Sequence, residues 1–480
     1  MDNTEIHDTR KRNLIMLTLI CGGFSTLLCE TLLNIAIPIF MNTFAIKAST
    51  AQWLISGFIL TLGVFIPCSG FLIQTFSTRR LFFTAMTLFI FGAVFAACAV
   101  NFPMILIGRL IQAFGVSILI PLNQTTILAI YPPEKLGSAN GLFILVLMLA
   151  PVIGPTVSGM ILQFFSWRYL FLITIPFNLL ALTLAYFCLK NVTKLTKPKL
   201  DILSLILSIL GFGGTIIGLN QIGEAGFVPR AYGTLLIGLI SLFIFSLRQF
   251  KLEKPMLNLK IFRYPLFALS ASFIMLTMVC IFGSLIIMPI FLQKVLLLST
   301  FTSGLILLPG GIITCLASPV AGRLYDNFGP RLLIPLGYVI IIGVFIFFTN
   351  ISAQINHLAL IILICLMNLA MPLITITTNT HALKHLPLKE RIDGSVILNT
   401  TQQIAASLGS SIFISLMTVG SSKFLNANPN AAEALSLNSG VNYAYMLGII
   451  PLLLGFGCSF LIQPFTLKAK KLLKAKPQKL

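Results

Sequence analysis

Fourteen long apolar runs, separated by short polar links, take up almost the whole of this 480-residue chain. They fall at about 14–40, 52–73, 81–100, 104–128, 138–163, 168–189, 202–221, 232–249, 265–292, 301–324, 332–350, 357–378, 394–418 and 442–466. Each is near the ~20 residues that a helix needs to cross the hydrocarbon core of a bilayer. No other feature constrains the fold as tightly. In lipid every backbone polar group must be satisfied inside the protein, so only helices and closed barrels span it. A barrel would read as short segments of alternating hydropathy, and these runs do not alternate. The sequence therefore predicts an all-α polytopic membrane protein with 14 transmembrane helices. Composition agrees, since only 9% of residues are charged and mean hydropathy is +1.00, whereas soluble domains carry about 25% charged residues.

The links set the orientation. With the N-terminus inside, 26 lysines and arginines fall in inside segments, five fall outside, and Arg109 lies within a span. That asymmetry predicts a multi-pass protein of the cell membrane with both termini cytoplasmic. It also explains the net charge of +20 without nucleic acid, because the bases are spread over loops and form no aromatic-interleaved face. The basic tail, 467–480, is expected to touch anionic membrane lipid. The first apolar run is too long for a signal-peptide core and is expected to be retained. Nine cysteines, mostly inside apolar runs, form no CxxC or Cys/His cluster, so no metal site and no disulfide framework is expected.

One acid breaks the pattern. Of twelve acidic residues, only Glu30 stands well inside a long apolar run. A carboxylate at that depth is costly unless neutralised, hydrated or paired, and so marks function. Arg109, in the fourth run, is the charge that can meet it. Burial and a neighbouring guanidinium pull a carboxyl's titration in opposite directions, the balance that a proton carrier needs. Asn34 follows Glu30 by one helical turn and Gln112 follows Arg109 by nearly one. These amides are candidates to orient the pair or to contact substrate, with interhelical hydrogen bonding as the equal alternative. In the thirteenth run Asn399, Gln402 and Gln403 share one face, and no charge accompanies them. In the fifth, Ala150, Gly154 and Ser158 form a stripe of small residues that permits close helix approach, and Pro151 and Pro155 favour a bend.

Two loops repeat. Gly70, Leu72, Phe76 and Arg79 recur as Gly322, Leu324, Phe328 and Arg331, a constant offset of 252 residues. Both copies fall on the inner side, which predicts two parallel six-helix bundles with spans seven and eight as an inserted hairpin. The expected division is 1–189 for the first bundle, 190–263 for the linker and extra hairpin, 264–466 for the second bundle, and 467–480 for the tail.

These paired loops resemble the Gly-x-Leu-x-Asp-x-x-Gly-x-Arg signature of the major facilitator superfamily. The likeness narrows to its fourteen-span drug:proton antiporters, the EmrB/QacA type. Thr31 to Pro38 resembles that group's first-helix motif, and Arg109-Leu-Ile-Gln112-Ala-Phe-Gly115 its fourth-helix motif. Ala150-Pro-Val-Ile-Gly154-Pro155-Thr-Val-Ser158-Gly159 is similar to the motif typical of exporters. Ser166-Trp167-Arg168 and Asp393-Gly394 fit as well. The resemblance implies a major facilitator fold in which the helices of Glu30 and Arg109 border a central cavity. It implies that Gly154, Pro155 and Gly159 lie where the bundles meet. It further implies that Gly70, Gln74 and Arg79, with Gly322, Asp326, Gly329 and Arg331, form a cytoplasmic latch. The chain departs from the family at Gln74 and Ser77, which replace an acid and a glycine. It departs again at Gln402, which replaces an arginine, and at Cys29, which stands where the first-helix acid usually is.

The function expected is proton-coupled export of lipophilic drugs or toxic compounds by alternating access. Glu30 and Arg109 would carry the coupling, the proton gradient would be the energy source, and no cofactor would be required. A dedicated exporter of one metabolite, peptide, lipid-like molecule or siderophore is the alternative. A membrane-embedded enzyme is the remote one, and the histidines show no grouping with acids that would support it. No phosphate-binding loop of the G-x-x-x-x-G-K-[ST] kind occurs, which argues against a primary pump. The expected partners are small lipophilic substrates, protons and membrane lipids. The expected assembly is a monomer, with accessory export proteins as an option.

Overall fold

The computed structural model describes residues 9–131, 133–189, 191, 201–225, 229–252, 255, 257–387 and 390–462; within helices the side chains of Gly70, Gln74 and Asp326, among others, lie outside that description. Among the described residues the chain is helical throughout, with no strand. In order these are α1 (Thr9–Leu32), α2 (Ile37–Phe44), α3 (Ala48–Ala51), α4 (Trp53–Thr75), α5 (Thr78–Ala97), α6 (Phe102–Ile130), α7 (Pro133–Phe164), α8 (Tyr169–Leu172), α9 (Ile175–Cys188), α10 (Ile202–Ala225), α11 (Pro229–Lys251), α12 (Pro265–Ile290), α13 (Thr300–Phe328), α14 (Pro330–Phe348), α15 (His357–Lys384), α16 (Arg391–Ala427) and α17 (Glu433–Ser459).

Twelve spans, not fourteen, are long and apolar enough over their described residues to cross a membrane, which makes this a multi-pass membrane protein. α7 and α10 contribute shorter apolar stretches, Leu149–Phe164 and Ile202–Gly218. Both stretches are counted over the described residues of longer helices, Pro133–Phe164 and Ile202–Ala225. α10 and α11 approach closely, an added Cβ on Gly214 lying 3.0 Å from Gly238 Cα.

The first apolar run is one segment in the sequence and two helices in the fold. α1 stops at Leu32, Leu33 to Ala36 turn, and α2 begins at Ile37. Pro38 lacks the N–H that would bond the carbonyl four residues back. The turn is carried by three-residue hydrogen bonds instead, Asn34 N to Thr31 O at 3.2 Å and Ala36 N to Leu33 O at 3.1 Å. Asn34 therefore sits in a turn, and the expectation that it follows Glu30 by one helical turn on the same face is corrected.

Two compact units emerge. The first comprises Met1–Phe212 with Leu297–Leu308, the second Gly213–Leu296 with Pro309–Leu480. In the first, α1 packs on α7 and α9, and α5 packs on α6 and α9. Its interior is aliphatic and aromatic at one end, with Leu19, Phe82, Met86 and Leu122 buried together. Phe40, Ala93, Trp167 and Phe171 are buried at the other. Trp167 belongs to this second cluster. It is buried, with the ring of Phe40 at 5.5 Å and that of Phe44 at 5.8 Å. In the second unit α12 packs on α15, α16 and α17, and α14 on α15 and α17.

The repeated loops start their next helices differently. Before α14, Gly329 takes φ +70°, where a side chain would be strained, and its N–H bonds Tyr325 O at 2.9 Å. Before α5, Ser77 is extended at φ −66° and its hydroxyl accepts from Arg80 N at 3.4 Å. The first loop caps its helix with a side chain, so the family's glycine is dispensable there.

Candidate functional site

The centre of the first unit is built on α6. Gly108 lets that helix lie against α5, because a Cβ there would come within 2.8 Å of Gly92 O. This contact places Arg109, one residue on, in the unit's interior at 0% exposure. It is the only Lys, Arg, Asp or Glu among the described residues that is fully buried.

Its guanidinium is held from three sides. Nε donates to Leu54 O at 3.2 Å, at the start of α4. Nη1 donates to Gln112 Oε1 at 3.2 Å and contacts Cys29 Sγ at 3.4 Å. Cζ stands over the ring of Phe58, 3.9 Å from its centroid, and a desolvated cation–π contact of this kind is worth about 2 kcal/mol. Nη2 has no hydrogen-bond partner among the described residues. Gln112 is itself fully buried, and its Nε2 reaches Cys29 Sγ at 3.6 Å.

Glu30 is beside this cluster and outside it. Cys29 takes the place on the guanidinium that the sequence assigned to the acid, and no ion pair within 4 Å joins Glu30 to Arg109. Helix geometry gives the reason: successive residues are turned by about 100°, so when Cys29 faces Arg109 its neighbour cannot. Glu30 is partly exposed, and the two charges are near enough to act on each other electrostatically. Asn34, four residues on, is buried with Oδ1 unpartnered.

α7 clamps the end of α1. Ser158 Oγ donates to Leu32 O at 2.6 Å, satisfying a carbonyl that the helix break frees. Thr31 Oγ1 lies 3.4 Å from Ala150 O, and a Cβ on Gly154 would collide with Thr31 Oγ1. The same stripe meets the segment 297–308 inside this unit. A Cβ on Gly159 would fall 2.6 Å from Thr300 O, and one on Gly304 2.6 Å from Pro155 O. Thr156 Oγ1 donates to Gly304 O at 3.3 Å. Gly304 and Thr300 carry no signal of this contact in the sequence. Further along α13, Gly310 meets Asn368, whose Nδ2 is 2.8 Å from the added Cβ.

The remaining candidates are dispersed. Arg79 donates to Tyr186 O at 3.0 Å and stacks on the Tyr186 ring at 5.1 Å, a cation at the carboxyl end of α9. Of the residues expected to form the latch, the side chains of Gly70, Gln74 and Asp326 fall outside the described residues. Gly322 has open space where a Cβ would stand, and Arg331 is exposed. In the second unit Asn399, Gln402 and Gln403 lie half-buried along α16. Asn368 is occupied between helices, accepting from Thr314 Oγ1 at 2.9 Å. No group of three potential metal ligands occurs among the described residues.

Relatives place this architecture. The Major Facilitator Superfamily model matches residues 19–410. The chain is 39% identical over 456 residues to the lincomycin resistance protein LmrB of Bacillus subtilis, covering 94% of this chain and 95% of that one. It is 38% identical over 453 residues to the protein of that name in Listeria monocytogenes, covering 94% and 96%. The multidrug resistance protein B homolog of Mycobacterium tuberculosis is 26% identical over 399 residues, with coverage of 81% and 73%. Among solved structures, a bacterial homolog of the human lysosomal transporter Spinster, inward-facing and unoccupied, shares the fold at TM-score 0.71 with 14% identity, over 96% of this chain and 99% of that one. On the family match and the full-length likeness together, this chain is a transporter, not an enzyme, and belongs to the Major Facilitator Superfamily.

Proposed function

We propose that this protein is a proton-coupled antiporter that exports lipophilic drugs or toxic compounds by alternating access, lincomycin-like molecules among them. The observation that carries the reading is the near-complete alignment at 39% identity with a lincomycin resistance protein. The buried Arg109 centre supports it. A cation held without a paired acid, beside one partly exposed carboxylate, suits a site whose charge changes when a proton arrives. In this reading Glu30 carries the proton and Arg109 senses it. Asn34, Gln112, Asn399, Gln402 and Gln403 offer polar contacts to substrate. Gly154, Pro155 and Gly159 provide close packing for rocking helices, and the loops of Gly70, Gln74 and Arg79 and of Gly322, Asp326, Gly329 and Arg331 act as latches. No cofactor is needed, since the proton gradient supplies the energy.

The same reading assigns the chain to the fourteen-span EmrB/QacA type, with α7 and α10 counted as spans. It keeps the division into bundles at 1–189 and 264–466, a linker and hairpin at 190–263, and a tail at 467–480. Both termini lie in the cytoplasm, the host membrane is the cell membrane, and the protein works as a monomer.

Purified protein in liposomes with an imposed pH gradient tests this. Uphill movement of lincomycin and several unrelated lipophiles is expected, and Glu30→Gln should abolish its dependence on the gradient. Movement of one compound alone would favour a dedicated exporter. Gradient-driven transport that survives Glu30→Gln unchanged would remove Glu30 from the coupling.

A further inference from the structure

Where α11 ends, the second unit has a cavity that the transport cycle leaves unused. It measures about 390 Å³ and is lined by Phe250, Leu259, Lys260, Phe262 and Arg263. Two observations make it a built feature. The short 3-10 turn Leu259–Arg263 is pinned: Ile261 is fully buried, Leu257 is buried, and Leu257 N donates to Gln249 Oε1 at 3.2 Å. Further on, Arg263 bonds Glu390 Oε1 at 3.1 Å, and Asn258 Nδ2 donates to Asp393 Oδ2 at 2.9 Å, which fasten the turn to the start of α16.

The cavity's chemistry has two faces. Phe250 and Phe262 are exposed, at 47% and 39%, beside the end of a membrane span. Lys260, in the lining, and Lys251, next to Phe250 at the end of α11, are exposed cations. From Arg248 to Arg263 the sequence holds five bases and the single acid Glu253. Glu390 pairs with Arg263 and Asp393 accepts from Asn258, and Lys251 and Lys260 stand exposed to solvent. Aromatic rings with lysines at the level where a span leaves the bilayer match one kind of molecule, with an acyl–glycerol body and an anionic head.

We propose that this cavity seats the headgroup of an anionic phospholipid, with Lys260 and Lys251 facing the phosphate and Phe250 and Phe262 alongside the glycerol and upper acyl chain. The bound lipid ties the connector between α11 and α12 to the membrane surface. Anionic lipid concentrates this charge at the inner leaflet, consistent with the orientation read from the basic loops.

Native mass spectrometry of the full-length protein tests it. The protein is moved from vesicles of equal phosphatidylglycerol and phosphatidylcholine into neutral detergent, and retained lipid is counted. Wild type should keep at least one phosphatidylglycerol in preference to phosphatidylcholine. Lys260→Gln and Lys251→Gln should each lower its retention about five-fold, and Lys260→Arg should preserve it. Lys423→Gln, elsewhere on the surface, should change nothing, and the lysine variants should melt like wild type in lipid-free detergent. Equal retention of the two lipids, no loss in the lysine variants, or displacement by millimolar inorganic phosphate or glycerol phosphate would overturn the assignment.

Discussion

The two units fill their interiors with different chemistry. The first buries a full charge, Arg109, on a thiol, an amide, a backbone carbonyl and a phenyl ring. The second buries hydroxyl pairs among aromatics: Thr277 with Tyr338 at 3.1 Å, and Ser284 with Tyr445 at 2.7 Å. The rings of Phe345 and Phe348 lie 5.0 and 4.8 Å from Tyr445. A neutral hydroxyl pair satisfies itself and can stay dry and rigid. A guanidinium lacking a carboxylate is a charge whose local balance is unfinished, and a change of protonation nearby shifts its energy. Under the proposed function, this asymmetry would give proton responsiveness to the first unit and shape to the second.

Removing the charge should break this contrast most strongly. Arg109→Ala strips Leu54 O, Gln112 and Cys29 of their donor in a buried place, costing on the order of 3 kcal/mol. It should lower transport more than a hundredfold, read as drug accumulation in cells and as the melting temperature of purified protein. Arg109→Lys keeps a charge but loses the fork geometry, and should recover stability better than activity.

The next effect concerns position. Glu30→Gln should leave folding unchanged and lower gradient-driven export more than tenfold in proteoliposomes. Placing the acid on the guanidinium, as Cys29→Asp in the Glu30→Gln background, should restore gradient dependence. If the double variant stays uncoupled while still folded, proximity to Arg109 is not what coupling requires.

Smaller again is the packing of α7. Gly159→Val would drive side-chain atoms into the Thr300 backbone, and overpacking of this kind costs about 1–3 kcal/mol. A matching loss in melting temperature and slower turnover is expected, with the pH profile intact. Smallest should be Tyr445→Phe. It loses one hydrogen bond, about 1 kcal/mol, and should lower melting slightly while leaving the pH dependence of transport as in wild type. A changed pH profile in that variant would end the division of labour between the units.

Much of this was legible before any coordinates. Hydropathy alone located α4, α5, α6 and α10 to α14 to within four residues, because a bilayer admits few alternatives to a helix. α15, α16 and α17 differ from their apolar runs by six to nine residues at one end or both, since a helix continues through polar sequence that hydropathy does not mark. Arg109 and Gln112 were visible as polar residues a turn apart in an apolar run, and the structure does bring them together. Glu30 was visible too, but not its rotation away from the guanidinium. That depends on which face of α1 packs on α6, and neighbouring residues on a helix are equally conspicuous in a sequence. Cys29 was marked only by the family motif, as the residue in the acid's place, and Phe58 went unnoticed as Arg109's partner because a phenylalanine in an apolar run carries no signal. The same holds for Gly304, one small residue among many in α13.

The amino-acid order by itself determined that this is a helical membrane protein with one carboxylate and one arginine inside its apolar runs, since charge and hydropathy act locally along the chain. Tertiary structure alone decided that the acid and the base are not paired, that Cys29 meets the guanidinium in place of Glu30, and that the first span breaks at Leu33. Those outcomes turn on helix rotation and on which carbonyl meets which donor, quantities set by contacts between segments far apart in the sequence.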